Sequence, residues 1–164
     1  MAETIKIQIF RKMIPDDLTK ALASADSRTD TGSGTALTAS VAASFLGRAA
    51  AIIAETEKEK ERVAYILRNA EILRAYMVNL IDEDVKCRGP LRKALKDGDP
   101  RVAEAAREPA VAIAGEIINM MYQCLELTEE LASFATGESA RFLIASAELA
   151  IASMRASVPY ILYM

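Results

Sequence analysis

The chain has 164 residues, enough for one domain with a core of its own, and 52% of them are hydrophobic although only 5% are aromatic. Alanine takes the largest share, so the interior must be built from many small side chains packed closely, a composition that favours helices. A net charge of −3 with no uniformly basic face argues against nucleic acid as a partner. The absence of histidine removes the commonest general base and zinc ligand, so no metal is expected.

The first element in chain order is a short alternating stretch, Ile5, Ile7 and Ile9 against Lys6 and Gln8, which reads as an extended arm within residues 1–12. It has no basic segment leading into an apolar one, and Cys87 and Cys124 are far apart and outside any CxxC pattern. The expectation is a reduced, cytoplasmic protein. Pro15, Asp16 and Asp17 suit the first turn of a helix that runs to about Ser24, because proline tolerates that turn and carboxylates favour its positive dipole end. Residues 25–34, ADSRTDTGSG, carry loop chemistry.

A helix is then expected over 35–56. Ala36, Ser40 and Ser44 form one row of small residues, and Ala39, Ala43, Gly47 and Ala51 form the next, so a neighbouring backbone can approach closely and the helix belongs at the centre of a bundle. After the solvated run ETEKEKER, apolar residues return at helical spacing from Val63 through Leu73 to Ile81, up to a kink or stop at Gly89 and Pro90. KDGDP reads as a turn and RVAEAARE as a short helix. Pro109 opens a further helix to about Phe134, Gly137 ends it, and a last helix spans about 139–154 with Pro159 closing or bending its end. Residues 35–54 and 139–164 are apolar enough to raise the membrane question. Arg48 in the first and Arg141, Glu148 and Arg155 in the second interrupt the charge-free run of about 20 residues that spans a bilayer. Both are expected to be buried helices in a single all-α antiparallel bundle with long Ala-rich central helices.

Two stretches carry chemistry. In LIDEDVKCR, residues 80–88, three adjacent carboxylates repel one another, and partial burial of one would tune it for proton transfer near neutrality. Asp82 with Lys86 and Asp84 with Arg88 also stand at the favourable four-residue spacing, so the same stretch reads as a solvated helix face. In DTGSG, glycines ahead of a helix either present main-chain N–H groups to an anion or simply make a turn and a cap. The stretch is no P-loop, since it lacks the lysine, and no dinucleotide fingerprint, since no strand precedes it.

Taken in order, DLTKALASADSRTDTGSGTALTASVAAS, LIDEDVKCR and AAREPAVAIAGE resemble the cyclodeaminase domain of formiminotransferase-cyclodeaminase and its stand-alone relatives, including methenyltetrahydrofolate cyclohydrolases. The resemblance covers most of the chain from about Asp17 onward. It implies an all-helical, usually dimeric enzyme whose substrate is a tetrahydrofolate derivative. Such an enzyme either expels ammonia as 5-formiminotetrahydrofolate closes to the methenyl form or opens that ring with water. Both reactions need a proton carrier beside a cationic carbon, and a carboxylate serves because its charge also steadies the cation.

The resemblance assigns the acid-base role to Asp82 and Asp84 and the folate-binding loop to Gly32, Ser33, Gly34 and Thr35. Arg88, Lys93 and Lys96, with Arg92, are either receivers for the carboxylates of a folate glutamate tail or a solvated basic face. A homodimer is expected, with no nucleic-acid or membrane partner. The chain departs from the family pattern at Ser33, where the loop has glycine, at Arg88, where the acidic motif is followed by phenylalanine, and in the carboxy-terminal TGESAR and SVPYILYM. Those departures motivate a second expectation, a non-catalytic helical ligand-binding or assembly module of the same fold.

Overall fold

A computed structural model describes residues 17–24, 31–55 and 60–163. The proposed amino-terminal arm, the helix start at Pro15 and Asp16, most of the 25–34 loop and part of the ETEKEKER run lie outside these residues. Among the described residues the protein is all-α, without strands: α1 (Thr19–Ala23), α2 (Thr31–Ala54), α3 (Lys60–Asp97), α4 (Pro100–Ala132) and α5 (Gly137–Tyr163). The four long helices form a bundle in which each neighbour in sequence is a neighbour in space and α2 packs on all three others. Gly47 of α2 sits against Ala70 of α3, and Ser33 at the start of α2 meets Asp84 late in α3, so the two helices run antiparallel.

The rows of small residues account for the central place of α2. Ala36, Ala39, Ala43 and Ala50 are fully buried, and a methyl added at Gly47 would stand 3.5 Å from Ala70 Cβ, which is ordinary contact. Larger side chains from the flanking helices, Ile66, Met77, Ile117, Met121 and Leu131, fill the space left by these alanines.

The structure corrects several expected boundaries. Thr31 to Gly34 are helical, within α2, rather than loop. α4 runs unbroken through Pro109, and of the alternatives expected at Pro90 and Pro159 the stop is excluded, since α3 continues to Asp97 and α5 to Tyr163. One reason covers all three prolines. Each is exposed, and so are Lys86, Ala105 and Arg155, whose carbonyls lose the ladder hydrogen bond, so water can satisfy what the proline ring cannot. Helix α3 ends instead at Gly98, whose φ of +73° glycine adopts without strain, and Asp99 caps α4 by accepting from the amides of Arg101 and Val102.

The last helix also differs from a simple buried one. By length and composition α2 and α5 are both apolar enough to cross a membrane, but half of the most apolar window of α2 is buried and only 28% of that of α5. The inward stripe of α5 is Ser139, Leu143, Ser146, Ala150, Ser153 and Ser157, mostly small and hydroxylic. Their hydroxyls are satisfied locally or across the core: Ser146 donates to the Ala42 carbonyl of α2 at 2.9 Å, and Ser153 and Ser157 donate to carbonyls of their own helix.

Candidate functional site

The glycine turn and the acidic helix meet in the structure. Asp84 projects from α3 onto the amino terminus of α2, where one carboxylate oxygen accepts from the Ser33 amide at 2.9 Å and from the Ser33 hydroxyl at 2.8 Å. The amide of Gly32 donates to the Tyr160 hydroxyl of α5, 128 residues away. Asp84 and Tyr160 thus give partners, from two other helices, to two consecutive amides of α2. The missing side chain of Gly32 is required: a Cβ there would overlap Asp84 Oδ1 and stand 2.6 Å from its Cγ.

Arg88 completes the cluster. Its Nε donates to the other Asp84 oxygen at 3.0 Å, and its guanidinium lies 3.9 Å from the centre of the Tyr160 ring. Asp84 is 1% exposed and Arg88 6%, so the pair at four-residue spacing is a buried ion pair, not the solvated one that the sequence also allowed. Around it, Gly32, Asp84, Arg88 and Tyr160 line, with Ile113 and Ser157, a crevice with no room for a water molecule.

A second space lies on the other side of the same turn. Thr31, Gly34, Thr35 and Thr38 of α2, with Leu22 of α1 and Ala152, Ser153 and Ala156 of α5, line a groove of about 350 Å³. Its floor is mostly apolar; the Thr38 and Ser153 hydroxyls there donate to carbonyls of their own helices and retain acceptor capacity toward the groove. One helical turn thus borders both spaces, with Gly32 and Ser33 toward the acid and Thr31, Gly34 and Thr35 at the groove.

The remaining predicted site residues stand apart. Asp82 is exposed, and Lys86, its expected partner at four-residue spacing, bonds Glu83 at 2.6 Å instead, a contact that raises the lysine's pKa. Lys93 and Lys96 are exposed further along α3 and line neither space. Cys87, beside the cluster, has its thiol pushed up first by burial and then by Glu83, Asp84 and Glu116. It is therefore a poor nucleophile. Among the described residues no group of three acidic, cysteine or histidine side chains is placed to hold a metal.

Sequence reasoning missed Tyr160. Its signal was present, because Ser146, Ser153, Ser157 and Tyr160 recur at helical spacing on one stripe, and a tyrosine continuing a row of hydroxyls marks an inward-facing polar tip. No family model matches the chain, and no curated protein matches it.

Proposed function

We propose that the chain binds a reduced folate along the threonine-lined groove and acts on its one-carbon unit, as a formiminotetrahydrofolate cyclodeaminase or a methenyltetrahydrofolate cyclohydrolase. The observation that carries this reading is the junction of Ser33 with Asp84. These residues belong to two stretches that resemble the same enzyme family, lie 51 residues apart in the chain, and are joined here by two hydrogen bonds. In this reading Gly34, Thr35 and Thr38 hold the ligand, and Asp84 carries the proton and steadies the cationic carbon. Asp82, exposed and outside the cluster, has no part in the chemistry.

A second reading is favoured by a different observation. Both oxygens of Asp84 are engaged, one by Ser33 and one by Arg88, and the crevice they border among the described residues has no room for a water molecule. A carboxylate so held acts as a strut, and the chain is then a non-catalytic ligand-binding module.

Purified protein assayed for 5-formiminotetrahydrofolate cyclisation and methenyltetrahydrofolate hydrolysis separates the two. The enzyme reading expects turnover, lowered about two to four orders of magnitude in Asp84→Asn and unchanged in Asp82→Asn. The binding reading expects no turnover but a higher melting temperature with saturating tetrahydrofolate. A folded protein with neither turnover nor a shift defeats both.

A further inference from the structure

The outward stripe of α5 reverses the usual order of an amphipathic helix, with hydroxyls inside and large apolar side chains outside. Ile144, Ala147, Ile151, Met154, Val158 and Ile161 follow one another at spacings of three and four, a strict seven-residue repeat. Ile144 is 65% exposed, Val158 42% and Ile161 45%, while Ala147 and Ile151 are half-buried and Met154 also packs against the core. Beside this seam, Ile118 and Leu125 of α4 form the far wall of an apolar groove of about 320 Å³ whose near wall includes Ile151, Met154 and Val158. A monomer gains nothing by holding such a face in water.

We infer that this face pairs with the same face of a second copy of the chain, α5 against α5 in antiparallel order about a two-fold axis between Ile151 and Met154. The seam is self-complementary in that arrangement. Ile151 falls beside Met154 of the partner subunit, Ile144 beside Ile161 of the partner subunit, and the small Ala147 beside Val158 of the partner subunit, each contact occurring twice by symmetry. The flanking charges agree. Arg141, Glu148 and Arg155 recur every seven residues along one edge of the stripe. The same axis brings exposed Glu148 opposite exposed Arg155 of the partner subunit, again twice. A parallel pairing would face these e-position charges with Leu143, Ala150 and Ser157 at the g positions and leave them unpaired, and a bilayer-facing stripe would gain nothing from charges at this period. The inference is independent of the folate reading.

Sedimentation of the full chain at micromolar concentration is expected to show a dimer. Glu148→Arg and Arg155→Glu each replace two attractive contacts by two repulsive ones and should raise the dissociation constant about tenfold or more. An equimolar mixture of the two variants restores attraction at both contacts and should return the dimer. Ile151→Glu, on the outer face, should give a folded monomer by circular dichroism. A monomeric wild-type chain overturns the proposal, whether the face is then found on phosphatidylcholine vesicles or covered by the chain's own amino-terminal segment. So does a dimer indifferent to both charge reversals.

Discussion

At the scale of single residues, Gly32 and Gly34 look alike in the sequence and have opposite roles in the fold. A side chain at Gly32 collides with the Asp84 carboxylate, so Gly32→Ala should destabilise by about 1–3 kcal/mol as the cluster is forced apart. At Gly34 an added methyl meets only the flexible end of Leu22 at 3.4 Å, and the position is helical, so Gly34→Ala should be neutral or stabilising by up to about 1 kcal/mol. Urea denaturation of the two variants measures both. The Asp84 and Arg88 pair is asymmetric in a different sense. Removing Asp84 alone breaks a buried ion pair and takes the acceptor from the Ser33 amide, and Asp84→Ala should lose about 3–5 kcal/mol. Replacing both with apolar residues, Asp84→Leu with Arg88→Met, should lose less than the two single changes together, and a double-mutant cycle reads the difference. The cysteines give a readout that needs no substitution. Burial raises the Cys124 thiol, and burial with nearby carboxylates raises Cys87, so each has less thiolate at a given pH than a free cysteine. Labelling at pH 8 should be slow at half-buried Cys87 and should reach buried Cys124 only on unfolding.

At the scale of the helix, three internal prolines separate expectation from structure. A proline in a helical pattern signals a break when the carbonyl it orphans is buried. Here the orphaned carbonyls belong to exposed residues, and the helix continues. If α4 is one rigid helix, Pro109→Ala restores a ladder hydrogen bond and should raise stability by about 1 kcal/mol or more, whereas a true helix start at Pro109 would lose its pre-set first turn and gain nothing. Thermal unfolding of this variant decides between them. The opposite case is Asp99, whose side chain accepts from two amides at the start of α4 and whose position before Pro100 was legible as a turn signal.

At the scale of the molecule, the bundle is built from the middle outward. A helix of alanine and serine lies at the centre because only small side chains let three long helices approach it, and the larger residues sit on those partners. The same economy of side-chain volume reappears on the inward stripe of α5, where serines replace the expected apolar residues and hydrogen-bond to helix carbonyls. Mass is thereby displaced to the outer face of α5, which is the basis for expecting a second copy there. The bundle also places the start of α2 beside the ends of α3 and α5, so Gly32, Asp84 and Tyr160 converge although no two of them are close in sequence.

The sequence by itself determined the helical class, the central place of the Ala-rich helix and the turn at Gly98. These follow from short-range causes: helix propensity, the period of small and apolar side chains, and the need for glycine at positive φ. It also brought the glycine stretch and Asp84 to notice as residue types. Only the tertiary structure decided that Asp84 is the buried carboxylate and Asp82 the exposed one, that Arg88 stacks on Tyr160 while Lys93 and Lys96 remain in solvent, and that Thr31 to Gly34 are helical. Each of these depends on partners supplied by another helix, 51 residues away for Ser33 and Asp84 and 128 for Gly32 and Tyr160. Local pattern carries no record of which helix end will arrive beside which carboxylate, because that is fixed by how the long helices pack.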